Sequence, residues 1–258
     1  MTEHVHVAVA DGVLKLTLAR ADKKNALTQA MYTALANALT RAETDASVRV
    51  VLLEAEGDAF SAGNDLGDFA AVAAGKLDRT TMTTQAFLNA LAHARKPIVA
   101  AVNGLAVGIG VTMLLHCDLV FVADDAKLST PFVNLALVPE AASSVLLQAR
   151  IGYARAYAMF ALGEPIDGRT AASIGLVNAA LPASEVRGAA LAAARKLASK
   201  PIGALLATKQ LMRDGAALAA VIARESEIFG ARLQSPETAE ALRAFAERRP
   251  PDFSKFTS

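Results

Sequence analysis

Val5, Val7 and Val9 alternate with polar or small residues, and after Asp11-Gly12 the alternation resumes at Leu14, Leu16 and Leu18. A period of two on both sides of an Asp-Gly pair predicts a β-hairpin closed by a tight turn. From Thr28, a residue type suited to cap a helix, the period lengthens: Met31, Leu35, Ala38, Leu39 and Ala42 fall on one helical face. The β-branched run "VRVVLLEA" then predicts a buried strand. The rhythm repeats with a helix through Phe87, Leu88 and Leu91 and a strand opened by Pro97 in "PIVAAVNG". Later, "LGEPIDGRTAASIGLVNAALP" reads as turn, short helix and strand, and from Ala189 onward the pattern is almost wholly helical. The stretch "AAVAAGKLDRTTMTT" has no clean period and contains Gly75, so it is the candidate for a mobile or variable segment.

The longest apolar run, Ile98 to Leu115, has the length of a membrane span, and Gly104 with Gly108 makes a small-xxx-small pair. Asn103 inside the run, His116 and Asp118 ending it without a basic flank, and Pro97 at its start all argue against a span. Nor do its glycines have the GxGxxG spacing of a dinucleotide loop. The reading left is a strand to Val102, a turn at Asn103-Gly104 and a buried helix starting near Gly108 to Gly110. Its first amides would be unpaired, suited to an anion or oxyanion. Glycines that merely permit tight packing explain this stretch alone equally well. A similar turn follows the earlier strand, in "GDAFSAGNDLGDF", so two strand-to-helix turns would grip one oxygen.

Composition narrows the classes. With 258 residues the chain suits one large domain, or a core with an appendage, and 26 basic against 25 acidic residues give no nucleic-acid surface. Cys117, the single cysteine, reads as a small buried hydrophobe. The N-terminus lacks the basic and apolar blocks of a leader and the end, "SKFTS", is not a peroxisomal address, so the cytoplasm is the expected compartment. His4 and His6 fall on the solvent side of their strand. No metal cluster or redox cofactor motif is visible.

The segments "AFSAGNDL", "KPIVAAVNGLAVGIG", "HCDLVFVADDAKLSTPF" and "ASIGLVNAALP", in this order, resemble the enoyl-CoA hydratase/isomerase (crotonase) superfamily, and the likeness spans almost the whole chain. The resemblance implies an α/β fold, a crotonase-like spiral of repeated ββα units over residues 1–195, and a C-terminal helical trimerisation region over 196–258. It implies an acyl-CoA thioester substrate, with coenzyme A as part of that substrate and no separate cofactor, and a homotrimer or dimer of trimers. By the same resemblance, the backbone N–H groups of Asn64 and Ile109 bind the thioester carbonyl. The family often has glycine at the second place, so the Ile109 side chain is expected to narrow the acyl pocket. "RADKKNAL" resembles the segment around the CoA adenine, which makes Lys24, Ala26, Ala62, Asp65 and Leu66 the binding candidates. Lys24 as a solvated loop residue and Asp65 as a helix cap are the plain alternatives.

Hydratases of this superfamily use two glutamates, and the matching positions here are Thr112 and Phe132, neither of which can act as a base. A carboxylate occurs later, at Glu140 in "LALVPEAASS", where the isomerase branch that shifts a double bond from C3 to C2 uses its one glutamate. One base suffices for that reaction, since it takes a proton from C2 and returns it at C4 of the same dienolate. Isomerisation is therefore the expected chemistry. Hydration, another reaction of the superfamily, and an inactive acyl-CoA-binding homologue are the alternatives. A triad of His116, Asp118 and Ser61 or Ser143 can be assembled on paper, but a capping or satisfied role suits His116 better.

Overall fold

The computed structural model describes residues 3–73 and 82–256. The expected hairpin is present: β1 (Val5–Ala10) pairs antiparallel with β2 (Val13–Leu18), and Asp11 and Gly12 at its turn both have positive φ. Thr28 caps α1 (Gln29–Thr44) by accepting a hydrogen bond from the Met31 amide, at 3.3 Å. Next come β3 (Val50–Ala55) and a short β4 (Ala59–Ser61), then α2 (Leu66–Ala73) and α3 (Thr84–His93). The third round is β5 (Ile98–Val102), β6 (Leu105–Val107) and α4 (Ile109–Thr112), prolonged by a 3-10 turn over Met113–His116.

β7 (Leu119–Ala123) and β8 (Lys127–Ser129) open the fourth round, with a 3-10 turn at Val133–Leu135, α5 (Ser143–Ile151) and α6 (Tyr153–Leu162). After them come β9 (Ile166–Asp167), α7 (Gly168–Ser173) and β10 (Ala179–Leu181). Four helices close the chain: α8 (Ala183–Ala198), α9 (Ile202–Met212), α10 (Gly215–Leu233) and α11 (Pro236–Ala246). Residue 195, where the helical region was expected to take over, lies inside α8.

From β3 to β8 successive strands alternate between two sheets, which is the spiral of ββα turns. One sheet has the order β1-β2-β3-β5-β7-β10 and the other β4-β6-β8-β9. Every residue of β3 and β5 is buried, and α8 packs across β3, β5 and β7. Parallel strands covered on both faces read as unbroken apolar runs, which explains why "PIVAAV" imitates part of a membrane span. No helix among the described residues is long and apolar enough to cross a membrane. The apolar run divides instead into two strands and a short helix, with β6 standing where the spacing predicts a single turn.

The aperiodic stretch around Gly75 was expected to be variable; its first residues, to Ala73, belong to α2, and residues 74–81 lie outside the described residues. Cys117 is buried, and burial pushes its thiol up to about 12, consistent with an inert packing role.

Candidate active site

The parallel pairing of β4 with β6 sets the two glycine turns side by side, since both leave their strands at the same end of the sheet. Gly63 has φ +94, and a Cβ there would lie 2.9 Å from the Val107 carbonyl oxygen. Gly108 has φ +55 and initiates α4. Both positions therefore need glycine, the first for close approach as well as for its left-handed backbone. Among the described residues, the turn hydrogen bonds use the amides of Ala62, Asp65, Gly108, Val111 and Thr112, and none is donated by the amide of Asn64 or Ile109.

Asn64 and Gly108 line one cavity of about 360 Å³. Its walls are mainly apolar: Leu66 and Phe69 of α2, Phe132, Leu137, Phe229 of α10 and Phe245 of α11. The Phe69 and Phe229 rings meet edge to face at 5.8 Å, joining α2 to α10. Thus the last helices of the same chain cover the cavity, with α11 packed on α2 and on the 133–135 turn. A larger depression of about 690 Å³ between β1 and α1 shares no lining residue with this cavity, and its one lining carboxylate, Asp45, is held below the usual carboxylate range by hydrogen bonds from Ser47.

Glu140 is enclosed next to the second turn. It is 6% exposed, and its Oε1 accepts a 2.6 Å hydrogen bond from the Thr112 hydroxyl, one helical turn past Ile109. Burial raises its carboxyl to about 7; the Thr112 bond opposes the rise, and the Glu225 carboxylate adds to it. Glu140 is not itself a lining residue of the cavity, whereas Leu137 of the same loop is. The buried Tyr32 spans the other side: its hydroxyl donates to Asn64 Oδ1 at 2.5 Å. Burial holds that phenol well above its ordinary range, and the Glu140 carboxyl beside it acts in the same direction. Hence the first turn, the second turn and Glu140 meet around Tyr32 and Thr112.

The side chain of Ile109 departs from expectation. It is fully buried within the main core and does not line the cavity, so it cannot narrow an acyl pocket. The first residue of α4 presents its peptide N–H to the turn while its side chain packs into the core.

Of the five CoA-binding candidates, Ala62 and Leu66 line the cavity. Lys24 has a left-handed backbone and an exposed side chain that donates to Asp58 at 3.0 Å. The Ala26 carbonyl accepts from Arg20, which also pairs with Asp65 at 2.7 Å, and Asp65 accepts the Gly67 amide at the start of α2. Phe132 packs against Phe160 and lines the cavity.

No triad forms. The Ser61 hydroxyl donates to the Asn25 carbonyl, Asp118 accepts from the Ile98 amide and Lys209, and His116 donates from Nε2 to the Ala141 carbonyl at 2.7 Å. Arg213 donates to its other ring nitrogen, and burial with the nearby guanidinium holds the imidazole down to about 3. It is a neutral strut.

Sequence reasoning missed Tyr32, the bonding role of Thr112, and Glu225. A readable signal exists for Glu225: it sits on the inward stripe of α10 with Leu218, Ile222 and Leu233, where a charge breaks the apolar period.

The chain matches the family model described as enoyl-CoA hydratase/isomerase over residues 8–256. It is 35% identical to enoyl-CoA delta isomerase 2 of Rattus norvegicus over 93% of its own length, spanning 62% of that longer relative. It is 34% identical to a probable enoyl-CoA hydratase of Rhodobacter capsulatus over 97% of both chains. A crystal structure of an enoyl-CoA hydratase/isomerase from Pseudoalteromonas atlantica superposes with a TM-score of 0.91 at 40% identity, covering 97% of this chain and 100% of that one.

Proposed function

The chain belongs to the enoyl-CoA hydratase/isomerase (crotonase) family, and within it we propose an isomerase that moves the double bond of a 3-enoyl-CoA to the 2-position. Glu140 as carboxylate removes a proton from C2, electrons shift onto the thioester oxygen as the dienolate forms, and the same carboxyl returns the proton at C4. The Asn64 and Ile109 amides hold the oxyanion; a donor of this kind is worth about 10² to 10³ in rate. The observation that carries this reading is the buried Glu140, its carboxyl raised to about 7, with the hydroxyl of Thr112 on its oxygen, the residue that stands at the first of the two positions where the resemblance gives a hydratase its glutamates. A base at that pKa is half ionised at neutral pH and efficient in both directions of transfer.

Lys24, Ala26, Ala62, Asp65 and Leu66 form the proposed CoA-binding edge, and the phenylalanine-lined cavity receives an apolar acyl chain. The acyl chain enters past Leu137 toward Glu140. A homotrimer or dimer of trimers in the cytoplasm, with no cofactor besides the CoA of the substrate, completes the proposal. Hydration is the second reading, favoured by the hydratase name of the Rhodobacter capsulatus relative. The test is to incubate 3-enoyl-CoA and 2-enoyl-CoA separately with wild type and Glu140→Gln. Isomerisation by wild type alone is expected. Full isomerase activity in the variant rejects the assignment, and rapid hydration of 2-enoyl-CoA by wild type transfers it to the second reading.

A further inference from the structure

The loop that carries Glu140 takes an unusual course. Ala141 and Ala142, directly after it, both have left-handed backbones, with φ 61 and 56, a conformation that alanine adopts only when its surroundings impose it. Ala142 is also the N-cap residue of α5 and has no side chain able to cap. The cap comes from elsewhere. Glu225 of α10, 7% exposed, accepts the Ala142 amide on one carboxylate oxygen at 2.6 Å and the Ser144 amide on the other at 3.0 Å. A buried carboxylate gripping two amides at a helix start is a strong, directional restraint. The His116 ring N–H also holds the Ala141 carbonyl.

We propose that Glu225 is a positioning residue for Glu140: it supplies the cap of α5 from the C-terminal helices, fixes the Ala141–Ala142 step, and so aims the Glu140 carboxyl. Its charge also faces that carboxyl, and removing the charge makes Glu140 easier to ionise, since Glu225 acts to raise it. The other groups around the loop are Thr112 on α4, Tyr32 on α1, with Asp68 of α2 acting on its phenol, and the neutral His116 with Arg213 from the end of α9. Of these, Glu225 is the carboxylate that raises Glu140. The inference rests on Glu140 being the base of the proposed reaction.

The experiment compares pH profiles of kcat for wild type, Glu225→Gln and Glu225→Asp with 3-enoyl-CoA, alongside Glu140→Gln at one pH. Glutamine offers one acceptor oxygen and no charge, so kcat is expected to fall by about 10- to 100-fold, the scale of a small misplacement of a reacting group. The acid limb of its profile should move to lower pH. Aspartate keeps the charge but reaches less far, so its kcat falls while its acid limb stays near the wild-type position. A merely structural loss would lower kcat without this split. Wild-type kcat in Glu225→Gln, an unmoved acid limb, or equal displacement of the limb in both variants overturns the proposal. If Glu225→Gln does not fold, Glu225→Asp decides alone, and wild-type kcat in it overturns the proposal. Inactive Glu140→Gln together with any of these results removes only the role of Glu225. Fully active Glu140→Gln removes the base assignment and this inference with it.

Discussion

Replacing Glu140 by glutamine should cost activity and increase stability, with the gain confined to one side of a pH window. Enclosure moves the carboxyl from an ordinary 4.5 to about 7. At about 1.4 kcal/mol per pH unit, keeping this group ionised inside the fold costs about 3 kcal/mol, to order of magnitude. Below 4.5 the group is protonated in both the folded and unfolded states, and the favourable contribution of the neutral form is fully present. Between 4.5 and about 7 the folded protein keeps a proton that the unfolded chain has released, so stability falls as pH rises. Above about 7 the whole cost is present. Glutamine imitates the neutral acid and still accepts the Thr112 hydroxyl, so it avoids that cost at every pH.

Urea unfolding of both proteins at matched concentration, at about pH 5 and about pH 8.5, reads the difference. The variant should exceed wild type by up to about 3 kcal/mol at the alkaline pH, and the gap should shrink toward the acidic pH. A variant no more stable than wild type at about pH 8.5, or a gap that does not change with pH, refutes the reasoning, because the acid would then be solvated.

Two further substitutions test the turns. Gly63→Ala places a Cβ against the Val107 carbonyl at a left-handed backbone; it should destabilise by about 1–3 kcal/mol in urea unfolding and lower kcat by about 10² or more through displacement of the Asn64 amide. Tyr32→Phe leaves Asn64 Oδ1 without its 2.5 Å donor and should cost about 1–2 kcal/mol in the same assay, with kcat/KM reduced and the Glu140-dependent pH limb retained.

The elements with a regular period were legible. Alternation at Val5 to Leu18 marked the hairpin, the spacing after Thr28 marked α1 and its cap, and the unbroken runs marked strands covered on both faces. The glycine turns were visible because glycine has few substitutes at positive φ, as at Gly63 and Gly108. What misled was the run after Pro97, since strand, strand and helix share one apolar composition when all are buried. The direction of the Ile109 side chain was equally unreadable, because a peptide N–H and its side chain at a helix start face different surroundings.

The amino-acid order by itself determined the α/β alternation, the two glycine turns and the single acid in "VPEAASS", all of them written within short stretches of chain. Tertiary structure alone decided what those pieces do to each other. Glu225 reaches Ala142 across 83 positions, Tyr32 reaches Asn64 across 32, and the final helices close over the cavity. Contacts between residues so far apart leave no local period, and a carboxyl near pKa 7 is a property of the enclosure that packing builds around it.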